Sequence, residues 1–107
     1  MILLSLDGTS AIELRERLAA GDLPAGGFSR FFEQGETAKA LIPVDPTLTA
    51  VNHIALATGF PPAATGIVGN SFHAARSAWG EKESGFDAPI ATETLWEAAR
   101  RQGKRTG

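Results

Sequence analysis

Two short apolar runs in the first half of the chain have the pattern of strands that are covered on both faces of a sheet. The first run covers residues 2–6 and ends at Asp7 and Gly8, and the second covers residues 36–43. A nearly continuous apolar run bounded by turn residues is typical of a buried strand. A third, shorter extended segment is predicted over residues 66–72.

Helices are predicted between and after these strands, where apolar residues recur at helical spacing. Ser10 with Glu13 three residues later is a capping-box pattern, and Gly21 supplies the stop signal of that first helix. The other three helices are predicted over residues 28–35, from about Thr49 to Thr58, and from Thr92 or Glu93 to Gly103. The remaining segments, residues 60–65 and residues 72–91, are predicted as a turn-rich loop and a surface loop.

The alternation of strands and helices predicts an α/β fold with a mostly parallel sheet. Three strands are fewer than such a sheet usually contains, and the last predicted helix ends where another strand is expected. An open sheet edge would also be left unpaired. We therefore expect residues 1–107 to form the N-terminal part of a single larger domain.

Composition and charge narrow the classes of partner. The formal net charge is −2, and the basic residues cluster only around the end of the last predicted helix. This distribution argues against a nucleic-acid polymer or a membrane surface as partner. The absence of cysteine excludes disulfides, thiolate metal sites and cysteine catalysis. No signal peptide or membrane-spanning run is recognisable, and the compartment stays open.

Three polar side chains lie at or just after the ends of the three predicted strands. Asp7 ends the first strand, Thr49 begins the helix after the second, and Asn70 lies in the third segment. Because ligands bind at the carboxyl ends of strands in open α/β sheets, we expect these residues to converge on one rim. Asp7 could hold a cation, Thr49 could attack a phosphate at the helix N-terminus, and Asn70 could donate to a phosphoryl oxygen. Together they predict metal-assisted phosphoryl transfer.

Each of these residues also has a plainer interpretation. An Asp-Gly pair after a strand is usually a turn, a threonine at a helix start is usually a cap, and asparagine after glycine is a common turn residue. Only the joint placement of Asp7, Thr49 and Asn70 favours chemistry.

Several short motifs, in order along the chain, resemble the type I phosphodiesterase/nucleotide pyrophosphatase family of the alkaline phosphatase superfamily. The interval between Thr49 and Asn70 is also the one that this family uses. The matching positions are Leu3-Leu4-Ser5-Leu6-Asp7-Gly8, Pro46-Thr47-Leu48-Thr49 with Asn52-His53, Thr58-Gly59-Phe60-Pro61-Pro62, and Gly66-Ile67-Val68-Gly69-Asn70.

The resemblance implies a layered α/β/α, alkaline-phosphatase-like catalytic domain that hydrolyses phosphodiester or pyrophosphate bonds of small, nucleotide-type substrates. Asp7 would be a metal ligand, Thr49 both the nucleophile and a ligand of one of two zinc ions, and Asn70 a contact to the phosphoryl oxygen. A phospho-threonine intermediate would form at Thr49. The family's other metal ligands lie outside this chain, so we expect the chain alone to be inactive and to need the remainder of the domain as partner.

Other functions stay open. A phosphomonoesterase or phosphonate hydrolase would share the same core, and a non-catalytic α/β fragment would use Asp7 and Thr49 only for a turn and a cap. A sulfatase is disfavoured because its nucleophile derives from cysteine or serine. His53 and His73 do not match the family's ligand positions, and we expect structural and surface roles for them.

Overall fold

The computed structural model describes residues 2–24 and 26–107, which divide into two compact units after Ile42. These residues contain five helices and two short strands. They are α1 (Ala11–Ala20), α2 (Phe28–Gln34), α3 (Thr49–Thr58), α4 (Pro62–Thr65), β1 (Ser71–Phe72), β2 (Glu83–Ser84) and α5 (Leu95–Arg101).

The two helices of the first unit confirm the sequence prediction. The Ser10 side chain accepts a hydrogen bond from the backbone N–H of Glu13 and so caps α1, and Gly21 ends the helix in the left-handed conformation. The Glu13 carboxylate pairs with Arg17 one turn further along at 2.8 Å. Local signals of this kind need no distant partner, which is why they could be recognised in the sequence.

The strands predicted over residues 2–6 and 36–43 were wrong for the described part of the chain, where both segments are irregular. Their large apolar side chains are exposed, with Ile2 at 95% and Ile42 at 88%. A strand needs a neighbouring strand for its N–H and C=O groups, and a parallel strand also needs cover on both faces. The residues that the structure describes supply neither, although the side-chain pattern is suited to both.

The second unit, Pro43–Gly107, is built around α3. Ala50, Val51 and Ala57 of this helix are buried together with Ile67. The helix confirms the prediction from Thr49 to Thr58, and Gly59 ends it in the left-handed conformation.

The segment predicted as a turn-rich loop over residues 60–65 instead contains the single-turn helix α4, which packs against α3. Pro62 occupies its first turn, where a missing N–H costs nothing, and Gly66 ends it with φ 79°. The buried Thr65 ties this helix to a later part of the unit, since its carbonyl accepts a 2.9 Å hydrogen bond from the N–H of Ala91.

A β-hairpin replaces the predicted third strand and part of the predicted surface loop. Only Ser71–Phe72 is strand, and it pairs antiparallel with Glu83–Ser84, with Ser71 opposite Ser84. Glu83 accepts from Ser77 at 2.8 Å and forms an ion pair with Arg76, so it fastens the connecting segment to β2. The described residues therefore contain an antiparallel pair rather than the expected parallel sheet.

One amide side chain holds the segment that leads into α3. Asn52 Oδ1 accepts a 2.9 Å hydrogen bond from the N–H of Val44. Its Nδ2 group lies 3.1–3.3 Å from the carbonyl oxygens of Val44, Pro46 and Leu48. This half-buried asparagine fixes the path of the chain, so that Leu48 is the extended N-cap residue and Thr49 the first residue of the helix.

The last helix begins at Leu95, two to three residues later than predicted. Its N-cap is the buried Thr94, which forms a reciprocal capping box with Glu97. The Glu97 carboxylate accepts from both the backbone N–H and the hydroxyl of Thr94 at 2.8 Å. These bonds, the backbone one above all, stabilise the charged form and lower the pKa of Glu97.

We predict that Asn52→Ala lowers the free energy of unfolding by about 1–3 kcal/mol, because it leaves several half-buried backbone groups without their partner. Urea unfolding of the variant measures the loss. Gln34→Ala is the control, since Gln34 is an exposed amide that accepts a hydrogen bond from Arg30 on the surface of α2. Equal stability of the two variants would contradict this role of Asn52.

We also predict that Glu97 contributes to acid sensitivity. Because its pKa is lower in the folded state, its stabilising contribution is present above the ordinary glutamate pKa and is lost as the pH falls through the lowered value. Glu97→Gln is therefore expected to reduce stability at neutral pH and to flatten the fall in unfolding midpoint below about pH 4. Thr94→Ala keeps only the backbone donor to Glu97, so its unfolding midpoint is expected to fall with pH less steeply than that of the parent and more steeply than that of Glu97→Gln. If the midpoints of the parent and both variants fell in parallel with pH, this role of Glu97 would be refuted.

Candidate active site

Thr49 lies at the first position of α3 and is half-buried. The preceding Leu48 has extended backbone angles (φ −110°, ψ 150°) and makes no side-chain capping bond. The hydroxyl of Thr49 therefore belongs to the first turn of the helix rather than to its cap. Backbone N–H groups in this turn point away from the helix without an intrahelical acceptor, which makes the surroundings favourable for an anion.

Asn70 supplies the missing cap from a distant part of the chain. Its Oδ1 atom accepts a 2.9 Å hydrogen bond from the backbone N–H of Ala50, the residue that follows Thr49. A backbone N–H can only donate, so the oxygen of the carboxamide must be the atom that faces the helix. The Nδ2 group is then the end of the same planar amide that can donate to a ligand beside Thr49.

The two histidines make backbone contacts. His53 Nδ1 lies 2.8 Å from the carbonyl oxygen of Thr49, one turn earlier on α3. His73 Nδ1 lies 2.7 Å from the carbonyl oxygen of Glu81 and connects the two sides of the hairpin loop. A carbonyl accepts only, so in both residues Nδ1 carries the hydrogen. The contact of His53 agrees with the structural role expected from the sequence. His73 is exposed, as expected for a surface residue, but its contact with Glu81 is also structural.

Asp7 lies at an exposed turn of the first unit, followed by Gly8 with φ 65°. Thr49 and Asn70 belong to the second unit. The structure thus brings together two of the three predicted site residues through Ala50. The convergence of Asp7 with them stays a prediction.

Sequence reasoning did not identify the role of Asn52. Its side chain defines where α3 begins and therefore where the Thr49 hydroxyl lies. The sequence did single out Asn52, because it belongs to the same family motif as Thr49, but it did not indicate what the side chain binds. Bonds to Val44 and Pro46 depend on the turn of the chain in three dimensions, however, and no periodicity reveals them.

Within the described ranges, no group of three or more His, Cys, Asp or Glu side chains could hold a metal ion. One carboxylate and one hydroxyl are too few donors for a zinc centre, which normally has three or four protein ligands. The described residues of this chain therefore do not form a complete metal site. In the same part of the chain, no helix has the length and apolar character needed to cross a bilayer.

Part of the chain is similar to a curated protein that is named as a phosphatase. The chain is 48% identical over 48 residues to the alkaline phosphatase PhoV of Synechococcus elongatus. The match covers 44% of this chain but only 9% of that relative, so the chain spans a small part of the length of the curated protein that it matches. No solved structure matches the chain.

The family comparison covers the whole sequence. The model of the type I phosphodiesterase / nucleotide pyrophosphatase family matches residues 1–107. This match includes Thr49 at the start of α3 and Asn70 bound to the next residue of that helix. The family is metal-dependent and hydrolyses phosphate esters. The chain belongs to the type I phosphodiesterase/nucleotide pyrophosphatase family, within the alkaline phosphatase superfamily.

Proposed function

We propose that the protein containing this chain hydrolyses phosphodiester or pyrophosphate bonds of small, nucleotide-type substrates, with Thr49 as the nucleophile. The observation that carries the proposal is the hydrogen bond between Asn70 Oδ1 and the N–H of Ala50. It ties a side-chain amide to the residue next to Thr49, at the end of a helix where a phosphoryl group is favoured. Family membership supports the reaction class, phosphoester hydrolysis.

In the proposed reaction, the Thr49 oxygen attacks phosphorus while the bond from phosphorus to the leaving oxygen breaks. The Thr49 proton passes to solvent or to a base of the intact site, and the leaving oxygen takes up a proton when it departs as an alcohol. The phosphoryl group on Thr49 keeps its second ester group when the substrate is a diester. Water then attacks this phosphorus, the bond between phosphorus and the Thr49 oxygen breaks, and a proton from water restores the Thr49 hydroxyl. A covalent intermediate of this kind divides one difficult displacement into two easier ones.

Asn70 Nδ2 is proposed to stabilise the negative charge that builds on the phosphoryl oxygen. Removing one such donor typically costs about 2.7–4 kcal/mol of transition-state stabilisation, whereas a helix terminus at an exposed site contributes about 0.3–1 kcal/mol. The fixed amide is therefore expected to outweigh the dipole of α3. The bond to Ala50 holds this amide before substrate arrives, so no reorientation is needed during the reaction.

Asp7 and Thr49 are proposed to supply two oxygen ligands to a two-zinc centre that is completed by residues outside this chain. We further propose that residues 1–107 are the N-terminal part of a layered α/β/α catalytic domain with a mostly parallel sheet. The exposed apolar side chains of residues 2–6 and 36–43 support this proposal. They have the pattern of covered strands and would be buried by neighbours in a larger domain.

Phosphomonoester hydrolysis is the second candidate, because the protein matched over 48 residues is named an alkaline phosphatase. The relative rates on 4-nitrophenyl phosphate and bis(4-nitrophenyl) phosphate distinguish the two. A strong preference for the monoester would favour this candidate. A non-catalytic role is less well supported, because Leu48 and not Thr49 is the N-cap of α3.

We predict that Thr49→Ala lowers kcat of the intact, metal-loaded protein at least about 10³-fold, because the nucleophile is lost while the fold is kept. Hydrolysis of both nitrophenyl esters measures the effect. Mass spectrometry after acid quenching is expected to find an adduct on the Thr49 peptide of the parent protein and none in the variant. The adduct is a phosphoryl group from the monoester and a 4-nitrophenyl phosphoryl group from the diester.

Thr58→Ala is the matched control for that experiment. Thr58 ends the same helix, and its hydroxyl donates to the carbonyl of Ile54 at 2.7 Å. Its loss is expected to reduce stability by about 0.5–1.5 kcal/mol with kcat unchanged. A Thr49→Ala protein that turned over both esters at the parental rate would exclude the proposed mechanism.

A further inference from the structure

Gly85 lies at the meeting point of the hairpin and the first turn of α3. It follows β2 directly, just as Asn70 precedes β1, and its N–H donates a 2.9 Å hydrogen bond to the carbonyl oxygen of Asn70. Gly85 is buried, although the segment around it was predicted as a surface loop. Asn70 is therefore held twice, through its backbone by Gly85 and through its side chain by Ala50.

The space at Gly85 admits no side chain. A Cβ atom placed there would overlap the carbonyl oxygen of Gly69 and would lie 3.0 Å from the Cβ of Ala50. The first contact is with backbone, so no change of rotamer can relieve it. The backbone angles of Gly85 lie outside the left-handed region, so the requirement for glycine is one of space and not of conformation.

These contacts join three residues into one closed arrangement. Ala50 is both the residue whose N–H binds Asn70 Oδ1 and the residue whose side chain packs against Gly85. A methyl group at Gly85 must therefore push the Gly69–Asn70 peptide or the start of α3 out of place. Either displacement changes the position of the Asn70 amide relative to Thr49.

We infer that Gly85 is a positioning residue, whose missing side chain lets the hairpin hold the Asn70 amide in register with Thr49. This inference rests on the proposed function, since it assigns Asn70 a role in phosphoryl transfer. Gly85 itself would not touch the substrate. It would act only by fixing Asn70, and this makes the inference separable from a general effect on folding.

The test compares Gly85→Ala with its parent in the intact, metal-loaded protein, with bis(4-nitrophenyl) phosphate and 4-nitrophenyl phosphate as substrates. Misplacement of a catalytic group by about 1 Å can cost on the order of 10²-fold, so kcat is expected to fall about 10- to 100-fold. KM is expected to change little, because the loss concerns a contact that strengthens in the transition state.

Gly80→Ala is the matched control. Gly80 lies in the loop of the same hairpin with φ 87°, and no atom of the described residues lies within 4 Å of the place a Cβ would take. The substitution strains the backbone without pressing on Asn70. It is expected to lower the Tm while leaving kcat unchanged. If Gly85→Ala lowered the Tm but left kcat at the parental value, as expected for Gly80→Ala, the inference would be overturned.

A double-mutant cycle with Asn70→Ala gives the sharper criterion. Removal of the amide is expected to lower kcat about 10²-fold. If Gly85 acts through Asn70, the double variant has the same kcat as Asn70→Ala alone, since coupled residues are not additive. If the fold-losses in kcat of the two single variants multiplied in the double variant, Gly85 would act independently of Asn70, and the inference would be overturned.

The cycle also separates the inference from the proposed function. Parental turnover by Thr49→Ala or Asn70→Ala would refute the proposed function, and the inference with it. The inference alone would be refuted if Thr49→Ala and Asn70→Ala both lost turnover while Gly85→Ala kept the parental kcat. It would also be refuted if the fold-loss in kcat from Gly85→Ala were the same with and without Asn70→Ala.

If Gly85→Ala does not fold, Glu83→Ala replaces it. This variant releases β2 from Arg76 and Ser77 without adding an atom. A reduced kcat that disappears in the Asn70→Ala background supports the inference, and an unchanged kcat overturns it.

Discussion

The hydrogen bond between Asn70 Oδ1 and the N–H of Ala50 is the interaction on which the candidate site depends. It joins residues 20 positions apart and fills the capping role that the apolar Leu48 cannot supply. A cap from outside the helix fixes the helix N-terminus and the donor amide together. A substitution that moves either element therefore moves the other, and this pair, together with the Asn52 side chain, sets the geometry around Thr49.

The second unit relies on side-chain-to-backbone hydrogen bonds as much as on apolar packing. Its buried apolar side chains include only small and medium-sized residues, namely Ala50, Val51, Ala57 and Ile67. The half-buried Asn52 and the buried Thr65 and Thr94 bind backbone groups at the points where helices begin or end. Buried polar groups cost free energy unless they are paired, so each of these contacts also restricts the chain to one path.

The first unit differs in how little of its apolar surface is buried. It has two regular helices, of which α1 is capped at both ends by neighbouring residues, but large apolar side chains such as Ile2 and Ile42 are open to solvent. Exposed apolar residues in a strand-like pattern indicate surface suited to further partners. In the proposed catalytic domain, neighbouring segments would cover this surface.

The sequence by itself determined the features that depend on near neighbours. The helices over α1, α2 and α3, the capping box pattern at Ser10 and the glycine stops at Gly21 and Gly59 follow from residues within a few positions of each other. The motif around Thr49 and Asn70 likewise identified the family from the order and spacing of residues.

Only the tertiary structure decided the pairings between distant segments. The predicted strands over residues 2–6 and 36–43 were wrong because a strand exists only beside a partner, and the described residues offer none. The antiparallel pairing of β1 with β2, the tie between Asn70 and Ala50, and the tight contact at Gly85 depend on how the chain folds back on itself. Side-chain patterns record a tendency to be buried, but they do not state which segment will provide the cover.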